Sequence, residues 1–255
     1  MKKHCFSFLL LLMAVLILAG CGNAPETTVT EAPVTEAAPV PVETESEEDI
    51  VYEGDASTYY IDVAYAEQIG RYYPALVEKW NEDQYNENGM SEVLAAYYEG
   101  NPLENVGFGF VDLDNDGYWE LVIGAIQDAE TEPAVFEIWT RVDGEPVMLA
   151  QASARSQYTL QYVEEDQMWY VVNEGSNGAA NNATYYLMLY EGKFEVVQGI
   201  IFDATADPEN PWFMTYDLDW DVSNDEPTDE ATANAVLESN RKLYTTLEYF
   251  PYIFY

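Results

Sequence analysis

Val135-Phe-Glu-Ile-Trp-Thr-Arg-Val-Asp-Gly-Glu-Pro-Val-Met-Leu-Ala150 is the stretch on which the fold turns. A run rich in β-branched and aromatic residues, Val135 to Val142, meets a second apolar run, Pro146 to Ala150, across Asp143-Gly144. An Asp-Gly pair accepts the positive φ angles of a tight hairpin turn, so the two runs read as adjacent antiparallel strands. The same pattern continues outward in both directions. Phe108 to Leu113 and Glu120 to Ile126 precede it; Tyr158 to Val163, Met168 to Asn173, Thr184 to Tyr190 and Phe194 to Phe202 follow, with Glu191-Gly192 as a second turn signal. Trp212 to Asp217 adds a further strand-like run.

Both ends of this region change period. Ile61, Tyr65, Ile69, Tyr72, Leu76 and Trp80 recur at spacings of 4, 4, 3, 4 and 4, one apolar stripe of an amphipathic helix with a kink expected near Gly70 and Pro74. A short helix is expected from Ser91 to Glu99, ended by Gly100. A closing helix is expected from Thr228 to Tyr244, capped by Asp225 or Thr228. The class is therefore α+β: a mostly antiparallel β-meander sheet with N-terminal helices and a C-terminal helix packed on one face.

Between the first two strand runs lies Asp112-Leu-Asp114-Asn-Asp116-Gly117-Tyr118-Trp-Glu120. Carboxylates stand at positions 1, 3, 5 and 9 of this loop, with glycine at 6, and the Tyr118 carbonyl offers one more oxygen. Hard cations such as Ca²⁺ take six to eight such oxygens. Without a cation the converging carboxylates repel. Two readings stand side by side, a Ca²⁺ site and a solvated acidic hairpin. Position 12 is Ile123 rather than an acid, and the flanks are strand-like rather than helical, which sets the loop apart from an EF-hand. The stretch Phe110 to Leu121 resembles the β-loop-β calcium site of FG-GAP and VCBS-type repeats and of integrin α-subunit blades. That resemblance implies side-chain ligands from Asp112, Asp114, Asp116 and Glu120 and a carbonyl ligand from Tyr118. It covers about a dozen residues, occurs once with its glycine, and implies no propeller.

Asp217-Leu-Asp219-Trp-Asp221, with Asp225 following, echoes the same spacing but has Val222 in place of the glycine. It reads either as a second ion site or as an edge strand running into an acidic helix cap. Gly175-Ser-Asn-Gly178-Ala-Ala-Asn-Asn182 lacks the Lys and Ser/Thr of a P-loop and reads as a loop between strands, with contact to a ligand as its functional alternative. Among the aromatic residues, Trp139, Trp169, Tyr170, Tyr185 and Tyr186 sit in strand runs, where rings serve either as core or as a sugar-stacking row.

The start of the chain carries an address. Lys2 and Lys3 precede an apolar run, Phe8 to Ala19, of signal-peptide length and too short to span a bilayer. Leu18-Ala19-Gly20-Cys21 resembles the lipobox of bacterial lipoproteins, which implies lipidation of Cys21 as the first mature residue. A plain secretory signal or a membrane helix with an incidental cysteine is the alternative. From 21 to 57, Thr, Glu, Pro, Val and Ala dominate, with ten acidic residues, the composition of a disordered tether. The expected division is a signal peptide over 1–20, a lipidated tether over 21–57 and one α+β calcium-binding domain over 58–255. This layout resembles surface lipoproteins of Firmicutes and implies an extracytoplasmic protein held to the membrane through Cys21.

Composition narrows the chemistry. The 255 residues hold 47 acidic and nine basic side chains, a formal charge of −38, so the phosphate-neutralising surface that nucleic-acid binding needs is absent. His4, Cys5 and Cys21 all lie within the expected leader or its lipidation site, leaving the mature chain without imidazole or free thiol. That excludes Ser-His-Asp and Cys-His nucleophiles, His/Cys zinc sites and structural disulfides in the mature chain. The expected role is non-enzymatic binding or scaffolding with a cell-envelope glycan or protein as partner. The alternative is a surface glycan-binding module or a carboxylate-based glycoside hydrolase, for which no catalytic residue stands out.

Overall fold

A computed structural model describes residues 63–126 and 133–255. The expected signal peptide, Cys21, the tether and Ile61 lie outside the described residues. No helix among the described residues is long and apolar enough to cross a membrane.

Four short helices open the described chain: α1 (Ala66–Gly70), α2 (Tyr72–Glu78), α3 (Glu82–Glu87) and α4 (Pro102–Asn105), with a 3₁₀ turn at Glu92–Tyr97. Strands follow as β1 (Val106–Val111), β2 (Glu120–Ala125), β3 (Val135–Val142), β4 (Glu145–Gln151), β5 (Ser156–Val163), β6 (Met168–Gly178), β7 (Asn181–Tyr190), β8 (Lys193–Asp203), β9 (Trp212–Thr215) and β10 (Glu226–Pro227). Helix α5 (Glu230–Arg241), β11 (Tyr244–Thr245), β12 (Phe250–Pro251) and a last 3₁₀ turn at Tyr252–Phe254 complete the chain.

All pairings are antiparallel, in the order β10-β9-β8-β7-β6-β5-β3-β2-β1-β12. The meander is interrupted at β3, which pairs with β4 along most of its length and with β5 only at Val135↔Tyr158. β11 pairs with β5 at Leu160 and Gln161, so the sheet forks between these two branches.

Strand alternation divides the core between the two faces. On one face Tyr65, Ile69, Tyr72 and Leu76 of the N-terminal segment bury against Phe108, Leu121, Ile123, Phe136 and Trp139. On the other, Val122, Ile138, Leu160, Val171, Tyr185, Leu187, Ile201 and Phe213 bury under Tyr249, with Leu247, Trp220 and Val222 packed around them. Helix α5 meets the first face: Gln161 donates a hydrogen bond to Asn240, and Arg241 pairs with Glu174 at 3.3 Å. The α+β class with helices from both ends on one face is thus present.

The details depart from the sequence pattern in physical ways. The apolar stripe is two helices, because the chain turns at Arg71 and α2 ends at Lys79 in the left-handed region (φ 53°). Pro74 does not break α2, since it lies in the first turn where its missing N–H costs no bond. Ser91 caps nothing; its hydroxyl donates to the buried Ala152 carbonyl instead. Helix α5 is capped by Asp229, which accepts from Thr232 N–H, rather than by Asp225 or Thr228. The expected loop at Gly175–Asn182 is largely strand, with β6 and β7 paired through Ser176↔Asn182 and only Ala179 and Ala180 between them.

Candidate metal centre

The acidic loop joins β1 to β2. Hydrophobic anchors hold its base: Val111 and Leu113 are buried in the second core cluster, so the chain enters the loop from a fixed point. Asn115 at φ 59° and Gly117 at φ 89° then wind it tightly. Gly117 is the residue type suited to that backbone, which an L side chain adopts only with strain.

This winding turns backbone donors toward the carboxylates. Asp112 accepts from the Asp116 and Gly117 N–H groups at 3.1 and 3.0 Å, one on each oxygen. Asp114 accepts from Asp116 N–H at 3.3 Å, and Asp116 from Tyr118 N–H at 2.7 Å. Asp112, Asp114 and Asp116 each bring a carboxylate oxygen within 4.8 Å of the others. Two oxygens bound to one Ca²⁺-sized ion lie at most about 5 Å apart, twice a bond of about 2.5 Å. The three aspartates can therefore hold a metal ion together. Burial, aided by the neighbouring Asp116 charge, pushes the Asp114 carboxyl above the usual carboxylate range.

Glu120 takes a different place from the three aspartates. Its side chain is buried at the root of the loop, where one oxygen accepts from Leu113 N–H at 2.8 Å and the other from the Thr140 hydroxyl at 2.9 Å. Burial pushes its carboxyl up to about 7, with Asp114 and Asp116 adding to the rise. The group of three converging oxygens does not include it. Tyr118 follows Asp116 directly; its ring is exposed, with the Arg141 guanidinium 6.0 Å from the ring centre. Asn115 adds a tie that the sequence pattern did not indicate: its amide donates to the Gln167 carbonyl at 3.0 Å, joining the loop to the β5–β6 turn.

The second acidic stretch is arranged otherwise. Asp219 N–H donates to Asp217, Asp221 N–H to Asp219 and Ser223 N–H to Asp221, a chain of local turns in which Asp221 caps the 3₁₀ turn Val222–Asn224. Among the described residues the geometry that could hold an ion is found at Asp112, Asp114 and Asp116, not here. Edge strand and acidic cap is the reading this arrangement supports. Of the strand aromatics, Trp139, Tyr185 and Tyr186 are buried, Trp169 is half-buried against the second core cluster, and Tyr170 is half-buried.

One charged contact is missing from the sequence reading. Glu137, fully buried, accepts from Arg71 at 2.6 Å and from the Trp139 indole N–H at 2.8 Å. It ties the α1–α2 junction to β3, far from the acidic loop in sequence and without local signal.

No family model matches the chain, and no curated protein or solved structure matches it either.

Proposed function

We propose that the protein is an extracytoplasmic lipoprotein, anchored through Cys21, whose domain over 58–255 holds one structural Ca²⁺ in the loop from Asp112 to Glu120 and serves a non-enzymatic binding or scaffolding role. The observation that carries the ion is the convergence of Asp112, Asp114 and Asp116 on a left-handed turn whose root is fixed by Leu113 and Glu120. An all-oxygen donor set favours a hard cation such as Ca²⁺. In this reading Glu120 and the Tyr118 carbonyl complete the shell with water. The ion offsets repulsion among the carboxylates and makes the β1–β2 connection a clip.

The anchor rests on Lys2, Lys3, the apolar run and Leu18-Ala-Gly-Cys21. Acyl chains contribute about 0.8 kcal/mol per buried CH₂, so two or more on one cysteine hold a protein at the membrane stably. The full chain is expected to partition into detergent, and Cys21→Ser to lose that partitioning.

Thermal unfolding of the full chain in detergent, with excess chelator and with millimolar Ca²⁺, tests the ion. An ion that binds only the folded form, at 100 times its Kd, adds about 2.7 kcal/mol. The expected result is a rise in Tm that Asp114→Ala abolishes; an equal rise in that variant overturns the assignment.

A further inference from the structure

The helices on the first sheet face do not cover it completely. The N-terminal layer, which includes the turn Glu92–Tyr97, covers β1 to β3, while α5 meets β5 and β6 through Asn240 and Arg241. Between the two layers the sheet is left as the floor of a groove. Toward the first layer a cavity of about 140 Å³ is bounded by Val93 and Tyr97, and toward α5 a cleft of about 470 Å³ is bounded by Asn234 and Arg241. Gln157 and Glu174 line both, so the two adjoin at this pair.

The floor is polar where a covered sheet face is normally apolar. Gln157, Glu174 and Thr184 form one cross-strand row, and Ser176 and Asn182 the next pair along. Cross-strand partners share a face, so these groups present their side chains together. Glu174 is engaged by Arg241 and by the Tyr244 hydroxyl at 3.0 Å. The side chains of Gln157, Asn182, Thr184, Asn234 and Arg155 have no hydrogen-bond partner among the described residues. These amides, a hydroxyl and a guanidinium line one concavity within the size range of small-ligand sites.

Charge selects among polar ligands. The domain after the tether carries 37 acidic against seven basic residues, a field that repels anions. Two of those seven, Arg155 and Arg241, stand in the cleft beside Glu174 and Glu238, so the lining is locally balanced. Side-chain donors and acceptors without net charge match hydroxyls, and the half-buried Tyr97 at the far end, packed edge-on against Phe136 at 4.9 Å, offers a fixed ring beside them. We propose that this groove binds a neutral oligosaccharide, with Gln157, Thr184, Asn182 and Arg155 meeting its hydroxyls. This gives the binding role proposed above its ligand class, but it does not rest on the ion.

The test is calorimetric titration of the full chain in detergent with chitotetraose and cellotetraose as neutral probes and tetragalacturonate as the charged one. At least one neutral probe should saturate, and tetragalacturonate should bind about tenfold or more weakly than it, or not at all. The exposed pair Gln157→Ala and Arg155→Met should weaken neutral binding by about tenfold or more with Tm unchanged, the scale of losing one or two hydrogen bonds. Thr184→Val, a near-isosteric change, should weaken it independently. Lack of saturation by either neutral probe, preference for tetragalacturonate, or affinity unmoved by these variants overturns the proposal. Because the Ca²⁺-dependent rise in Tm is read separately on the same protein, failure of the groove and failure of the ion site are distinguishable.

Discussion

Arg71 lies where α1 gives way to α2, and its guanidinium sits 5.1 Å from the centre of the Trp139 ring while it pairs with the buried Glu137. Removing one partner of such a pair leaves a carboxylate in the protein interior, which costs about 3–5 kcal/mol. Arg71 keeps about a quarter of its side chain exposed, so the lower end applies. Arg71→Met is expected to lower stability in urea by about 3 kcal/mol. Adding Glu137→Leu should recover part of that loss, because no unpaired charge then stays buried. A double variant no more stable than the single one would show that Glu137 is held by its other bonds. The contact links residues 66 apart, and a lone arginine between two helix-forming stretches gives no local sign of its partner. The aspartates were legible for the opposite reason. Their spacing alone places three carboxylates around one turn, and Gly117 marks where the chain winds. The separate place of Glu120 depends on Thr140, a residue of another strand.

At the scale of elements, the β-branched and aromatic runs and the turn signals between them located β1 to β9, whether a strand is buried on both faces, as β2 is, or has only Ala150 buried, as β4 does. The same signals shortened β6 and β7, whose ends, from Gly175 to Asn182, are small or polar and owe their strand state to backbone pairing. Helix α3 carried an overlooked signal: Asn81 and Gln84 form a reciprocal capping box. The final segment, 244–255, has no regular period, and its place is set by distant partners. β12 pairs with β1 at Gly107↔Pro251 and Phe108↔Phe250. A Cβ on Gly107 would stand 2.8 Å from both the Phe250 carbonyl oxygen and Tyr249 Cβ, and the former is backbone. Gly107→Ala is expected to cost about 1–3 kcal/mol, the scale of overpacking a tight contact. Urea unfolding measures it, and carboxypeptidase should release residues from 250 onward faster in this variant. Unchanged stability would mean that β12 does not lie against Gly107 in solution.

For the whole molecule, tyrosine burial sets an alkaline limit. Burial holds the Tyr185 and Tyr186 hydroxyls up at about 12, pushes those of Tyr85 and Tyr249 higher still, and raises those of Tyr72 and Tyr252 well above the usual tyrosine value. In the unfolded chain each ionises near pH 10, whereas the folded chain keeps the proton. The stability linked to these groups is complete below about pH 10 and is lost as pH rises through the folded values, by up to about 1.4 kcal/mol per pH unit for each tyrosine. Urea midpoints at pH 9, 10 and 11 should fall steeply over the last interval. A flat profile would mean that the hydroxyls titrate in the folded state as they do in water. The excess of carboxylates adds no such slope there, being fully ionised at all three values.

Tyr252 donates its hydroxyl proton to the Ile69 carbonyl, a bond closed across 183 residues. Its ring packs at 6.0 Å from Tyr72 and 5.4 Å from Phe108, so the first helices and the first strand share a lid made from the last turn. That segment is made long after its partners. Until it has been synthesised the outer edge of β1 stays unpaired and one wall of the aromatic cluster stays open. Such long-range closure belongs to slow-folding topologies. It also makes the short segment 250–254 one on which the N-terminal helices depend.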